Sequence, residues 1–168
     1  DLLALLGSGH AQVDVWEALD LAGIVTRWFP EWAAVRNRPQ RNPIHTYTVD
    51  RHLVECAAWA AELSGDLPRR DVLLLTALLH DIGKVAGTAD HSATGAAIVP
   101  GVLARLGVGE EDARDVTTLV RHHLLLVELA TRSDVEDPAT AHTLLTALHH
   151  DAGMLELVKG APIEHYQL

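Results

Sequence analysis

Apolar residues recur at helical spacing along almost the whole chain, and this feature most constrains the fold. Val49, Leu53, Cys56 and Ala60, for example, stand three or four residues apart, which places them on one face of a helix. No segment shows the alternating pattern of a half-buried strand, and aromatic residues make up only 4% of the chain, which disfavours a β-sandwich. The pattern therefore predicts an all-α fold, a bundle of helices.

Glycine, proline and short polar segments divide the chain into successive helices. The predicted helices span about residues 11–22, 46–63, 68–82, 92–106, 110–123 and 138–149. Ser92 is the expected N-cap of the fourth of these helices. Pro100 and Gly101 lie inside the same helix and predict a kink or a break there.

Charge and cysteine content narrow the class of protein. The chain has 168 residues, enough for one domain, and a formal net charge of −10, so a nucleic-acid partner is not expected. No apolar run is long enough to span a membrane. The single cysteine, Cys56, excludes an intrachain disulfide and is compatible with the cytoplasm. Because the sequence lacks an initial Met and a signal peptide, we expect a cytoplasmic fragment of a longer protein.

Histidine and aspartate form the chemically most informative pair in the sequence. His80 and Asp81 follow the apolar run 72–79, where an ionised Asp is costly to bury unless it is paired or binds a metal. A helix end with His80 on the last carbonyls and Asp81 in solvent is the alternative. His52 has two interpretations, a hydrogen-bonded core histidine or a group that supports a site.

Four further histidines stand at predicted helix ends, so they can meet at one end of a bundle. They are His45, His91, His122 and His123. Imidazole nitrogens together with a carboxylate suit Mn, Fe, Co or Zn better than Ca or Mg. A carboxylate beside a histidine can also bridge two ions, as two-metal hydrolysis of phosphates requires.

Several segments, in this order and spacing, resemble the HD phosphohydrolase superfamily. More narrowly, they resemble the HD domains of bacterial bifunctional PII uridylyltransferase/uridylyl-removing enzymes, over roughly residues 2–158. The segments are residues 45–50 (HTYTVD), 80–84 (HDIGK), 90–92 with Gly95, 122–124, 132–138 and the lead-in 21–30.

The resemblance implies a metal-dependent phosphodiesterase that removes a nucleotidyl group, UMP or AMP, from a tyrosine of the nitrogen-regulatory PII protein. It implies one or two divalent ions (Mn, Fe, Co, Zn or Mg). Asp81 and Lys84 would act in catalysis, although Lys84 is equally well explained as a solvated lysine at a helix end. The implied ligands of the first ion are His45, His80 and Asp81, and those of the second are His91, His122 and His123.

The resemblance also predicts domain boundaries, and the sequence departs from the family pattern in two respects. Residues 1–44 would be a helical lead-in packed on an HD domain over 45–168, and the transferase and regulatory domains of such enzymes have no counterpart in this sequence. An Asp that the family carries on a late helix is missing, and Glu164 or His165 are the candidate substitutes. Two alternatives remain: an HD hydrolase of free nucleotides or cyclic dinucleotides, and a degenerate HD module that binds a partner without catalysis.

Overall fold

The structure, a computed structural model, describes residues 2–40, 46–134 and 136–160. These residues contain ten α-helices, one 3-10 helix over Pro30–Ala34, and no strand, so the predicted all-α fold is confirmed. None of these helices is long and apolar enough to cross a membrane. The helices are α1 (Leu2–Leu6), α2 (Ala11–Leu21), α3 (Val25–Trp28), α4 (Val49–Leu63), α5 (Arg70–Leu79), α6 (His91–Arg105), α7 (Glu110–Arg121), α8 (Leu125–Arg132), α9 (Pro138–Ala147) and α10 (Ala152–Gly160).

Helix α5 is the centre of the bundle. Its residues Val72–Leu79 are all buried, because α4 packs on one side of it, α7 packs on another, and α6 in turn packs against α7. A helix that is apolar all round has to be covered on every side. The turn that follows α5 is therefore held inside the protein rather than at its surface.

The N-terminal helices share the same hydrophobic core. Trp16 of α2 packs against Phe29 and Trp32, with ring centroids 6.0 and 5.2 Å apart, and all three side chains are at most 2% exposed. Helix α2 also packs against α4. The lead-in is thus joined to the bundle through the contacts of α1 and α2 with α4 and α5, and its aromatic side chains belong to the same hydrophobic core.

Three helices begin at residues other than those predicted. Helix α4 begins at Val49, after Thr48 in extended conformation, and α5 begins at Arg70, after Arg69 in the left-handed region. The N-cap of α6 is Asp90, whose carboxylate accepts a hydrogen bond from the Ala93 N–H, so the prediction of Ser92 was wrong. An aspartate caps a helix at least as well as a serine, and Ser92 is instead buried in the first turn.

Helix α6 continues through Pro100, so of the predicted kink or break the break does not occur. Proline has no N–H to donate to the carbonyl four residues earlier. Pro100 lies on the exposed face of the helix, where a carbonyl without an intrahelical partner can bond to water. The cost of the proline is therefore tolerated without an interruption.

Candidate metal centre

Asp81 lies in a tight turn at the end of α5, and neither Asp81 nor His80 is exposed to solvent. The backbone N–H of Ile82 donates to the Leu79 carbonyl at 3.1 Å, and that of Lys84 donates to the Asp81 carbonyl at 2.9 Å. These bonds fix the turn directly behind the apolar helix. A carboxylate is thereby placed in the protein interior.

Gly83 allows α6 to approach this turn at backbone contact. A Cβ at position 83 would lie 2.1 Å from the His91 carbonyl oxygen and 2.3 Å from the Gly95 nitrogen, distances at which atoms overlap. Only glycine permits so close an approach. The first residue of α6, His91, is consequently held beside Asp81.

Four imidazole rings surround the Asp81 carboxylate. The Nε2 atoms of His52 and His80 lie 3.5 Å from Oδ2. The Nε2 atoms of His91 and His123 lie 3.5 Å from Oδ1. Each ring comes from a different part of the fold, namely α4, the end of α5, the start of α6 and the turn after α7.

Two of these rings are oriented by backbone carbonyls. The Nδ1–H of His80 donates to the Ala77 carbonyl at 2.9 Å, and that of His123 donates to the Val120 carbonyl at 2.7 Å. A carbonyl can only accept, so in the neutral ring the proton resides on Nδ1 and the Nε2 lone pair faces Asp81. Metal-ligating histidines are commonly fixed in this way.

Lys84 completes the surroundings of Asp81. Its Nζ lies 2.5 Å from Asp81 Oδ2 and donates to Gln40 Oε1 at 2.8 Å, and its side chain is 21% exposed. The alternative of a lysine surrounded by solvent does not describe this geometry. Lys84 instead pairs with the buried carboxylate while part of its side chain reaches the surface.

The protonation states of the cluster suit a cation. Burial lowers the pKa of His80 well below its ordinary value and also lowers the pKa of His91. Burial by itself would raise the pKa of Asp81, but contacts with His80, His123 and Lys84 outweigh it and hold that pKa well below its usual range. Neutral imidazoles and an ionised carboxylate are the forms that bind metals.

The cluster has buried polar atoms that lack a partner in the described part of the chain, and this fits a site for a divalent ion. Asp81 Oδ1 and His91 Nε2 are buried and have no hydrogen-bond partner within the described residues, although buried polar groups are almost always bonded. Asp81, His91 and His123 each offer one ligand atom, and these atoms lie within 4.8 Å of one another. Nitrogen and carboxylate donors favour Mn, Fe, Co or Zn.

The predicted site residues fall into three groups. The structure brings His80, Asp81, Lys84, His91 and His123 together. His122 is half-buried, with Arg121 and His149 as neighbours, and it is not part of the metal-ligand groups formed by the described residues. His45 lies outside the described residues, as do Glu164 and His165. The ligand roles of His45 and His122 stay predictions.

His52 is the site residue that the sequence alone did not assign. Its Nε2 lies 3.1 Å from His80 Nε2, its side chain is 3% exposed, and the thiol of Cys56 contacts its ring. The signal was present in the sequence, because His52 interrupts the apolar face of α4 three residues after Val49 and four before Cys56. A polar side chain on a buried face needs a partner.

The HD domain family matches residues 49–140 of the chain, which is more than half of it, and the chain belongs to this family. The matched segment contains His52 and the whole described cluster, and it begins after His45. Fold and site thus define the class of metal-dependent HD phosphohydrolases.

Curated relatives place the chain more narrowly. It is 53% identical over 147 residues to the bifunctional uridylyltransferase/uridylyl-removing enzyme of Streptomyces coelicolor, covering 88% of this chain and 18% of that enzyme. It is 48% identical over 158 residues to the enzyme of the same name from Mycobacterium tuberculosis, covering 94% of this chain and 19% of the relative. The chain therefore spans about a fifth of the length of the curated relatives that it matches.

Proposed function

We propose that this chain is a metal-dependent phosphodiesterase domain that removes a nucleotidyl group from a tyrosine of the PII protein. The observation that carries the proposal is the buried Asp81 carboxylate, placed within 3.5 Å of four imidazole Nε2 atoms and of Lys84 Nζ. The name uridylyl-removing enzyme, carried by the relatives, supports the choice of reaction. The resemblance of the motifs supports PII as the substrate.

The described residues have distinct roles in this proposal. Asp81 and the Nε2 atoms of His52, His80, His91 and His123 would hold one or two divalent ions, with His45 as a further predicted ligand. When bound, such an ion supplies Lewis-acid neutralisation of the phosphoryl oxygens and promotes attack by water. Lys84 would bind a phosphoryl oxygen through its partly exposed ammonium group while Asp81 keeps it oriented.

The wider setting is part of the same proposal. Residues 1–44 would form a lead-in to an HD domain over 45–168, and the relatives' other activity would reside in parts of the longer protein. We propose a cytoplasmic location, where a PII substrate would be met. The group removed would be UMP or AMP.

The test is release of nucleotide from nucleotidylated PII. We expect the chain with Mn²⁺ to liberate UMP or AMP, measured by chromatography, and the Asp81→Asn variant to liberate none above background. Bis(p-nitrophenyl) phosphate serves as a generic diester in the same assay. Hydrolysis of the generic diester without any action on modified PII would retain the phosphodiesterase and reject the PII substrate.

A further inference from the structure

A cavity of about 510 Å³ adjoins the metal centre and shares His91 and Lys84 with it. Its volume falls in the range of small-molecule sites, about 300–1,000 Å³. The remaining wall comes from the segment before α4, which contributes Arg38 and Gln40, and from the loop between α5 and α6, which contributes Thr88. The cavity thus opens beside the atoms at which hydrolysis is proposed to occur.

The charge of this cavity is opposite to that of the protein. The chain carries 23 acidic residues and a net charge of −10, and three other cavities of the described chain are each lined by at least two acidic side chains. Among the described residues that line this cavity there is no acid, whereas Arg38 and Lys84 are both present. A cleft lined by one sign of charge concentrates ligands of the opposite sign.

Arg38 differs from Lys84 in having no ion pair with any described residue. Lys84 is paired with Asp81, and Arg36, two residues before Arg38, is paired with Asp20 at 2.6 Å in a different cavity. The Arg38 side chain is half-buried, and none of its nitrogens is a buried atom without a hydrogen-bond partner. The guanidinium is therefore accessible from the cavity and can bind an anion that enters it.

The backbone around Arg38 is held rigidly against the start of α4. The Val49 N–H donates to the Arg38 carbonyl at 2.8 Å, and the Asn37 N–H donates to Asp50 Oδ2 at 2.7 Å. A side chain on a pinned segment loses less entropy on binding than one on a mobile loop. The backbone from which the Arg38 side chain reaches the cavity is therefore fixed.

We infer that this cavity binds the nucleotidyl group of the substrate, with Arg38 bonded to the phosphate oxygens that are not attacked. The inference rests on the proposed function and deepens it by naming the residue that recognises the phosphate. A guanidinium presents two parallel N–H donors that match a phosphate. Val85 and Pro39 supply apolar wall for the nucleoside, and Gln40 and Thr88 supply polar groups.

The test compares UMP and uridine as ligands of the full chain loaded with Mn²⁺, measured by titration calorimetry. We expect Arg38→Gln to weaken UMP binding about 10- to 100-fold, the range for hydrogen bonds to charged groups, and to leave uridine binding unchanged. Arg38→Lys keeps the charge without the paired donors, so its affinity for UMP should lie between those of the unmodified chain and Arg38→Gln. Arg36→Gln is the matched control and should bind UMP as the unmodified chain does.

Two results would overturn the inference: no measurable UMP binding by the unmodified chain, or equal UMP affinity in Arg38→Gln. An Arg38→Gln variant that weakens uridine as much as UMP would equally contradict a contact with phosphate. Hydrolysis of bis(p-nitrophenyl) phosphate is measured on the same samples. Hydrolysis without an effect of Arg38→Gln rejects only the cavity, whereas weakened UMP binding without any hydrolysis rejects only the proposed function.

Discussion

At the scale of single residues, Asp81 is the group on which every other contact in the centre converges. Asp81→Asn keeps the shape of the side chain but removes the charge that faces four imidazoles and Lys84. We predict a loss of metal affinity of at least about 100-fold, since even changes outside the ligand shell cost 10- to 100-fold. Metal content after dialysis and far-ultraviolet circular dichroism measure the loss and the retained helices. Unchanged metal content would remove Asp81 from the site.

A second prediction at the residue scale concerns the relative importance of His52 and His45 for metal binding. Because His52 lies 3.1 Å from His80 Nε2 and 3.5 Å from Asp81, we predict that His52→Ala reduces bound metal at least as much as His45→Ala does. His142→Ala, in an exposed part of α9, is the control and should bind metal normally. If His52→Ala retains its full metal content by atomic emission, His52 is a core histidine and not part of the centre.

The sequence identified most of these residues by type and position, and missed one. His80 and Asp81 are adjacent after an apolar run, so burial and pairing could be predicted together. His91 and His123 could be placed at helix ends. That His52 also meets His80 depends on how α4 packs on α5, and helical spacing within one segment does not specify which neighbour its apolar face meets.

At the scale of secondary-structure elements, the contact between the turn after α5 and the start of α6 shapes the centre. A Cβ on Gly83 would overlap the backbone of His91 and Gly95, and backbone atoms cannot move aside as a flexible side chain can. We predict that Gly83→Ala lowers the free energy of unfolding by about 1–3 kcal/mol or more and also weakens metal binding, because His91 is pushed from Asp81. Urea unfolding and metal titration measure the two effects.

Gly101→Ala, within helix α6 and away from the turn that contains Gly83, is the matched control. Gly101 is exposed, and the nearest atom to its added Cβ is the end of the Arg105 side chain at 3.7 Å. Alanine is the better helix former, so this variant should gain about 0.5–1 kcal/mol. A loss of stability at position 101 equal to that at position 83 would mean that steric overlap is not the cause.

Element boundaries show where local sequence signals compete. Asp90 and Ser92 are both good N-caps, and in the structure Asp90 caps the helix while Ser92 is buried in its first turn. The prediction of a kink or a break at Pro100 rests on the lost hydrogen bond, and the exposure of that face explains why no break occurs. The short helices α1 and α8 span five and eight residues, too few for a periodic pattern to distinguish them from loops.

At the scale of the whole molecule, the lead-in and the HD helices are expected to unfold together. Trp32 is 1% exposed and packs on Trp16, whereas Trp28 is 40% exposed. We predict that Trp32→Ala lowers the free energy of unfolding by about 3–5 kcal/mol and shifts one common transition, while Trp28→Ala changes it by less than about 1 kcal/mol. A separate early transition in Trp32→Ala, seen by calorimetry, would show that the lead-in is an independent unit.

The class of fold was predictable for the whole chain because helical period and breaker residues recur throughout it. The composition of the substrate cavity was not, since Arg38 and Lys84 are far apart in sequence and meet only when the segment before α4 folds over the loop after α5. The expected lack of a late-helix Asp ligand and its effect on metal affinity stay predictions, because the candidate substitutes Glu164 and His165 lie outside the described residues.

A divalent ion bound at Asp81 is the central requirement of the proposed function. The measurement is an anomalous difference map from crystals of the chain grown with Mn²⁺ or Zn²⁺. We predict at least one peak bonded to Asp81 and to Nε2 of His80, with a second near His91 and His123, at ligand distances of about 2.0–2.2 Å for Zn²⁺. Peaks that lie only at surface carboxylates, or a map with none in contact with Asp81, would contradict the account.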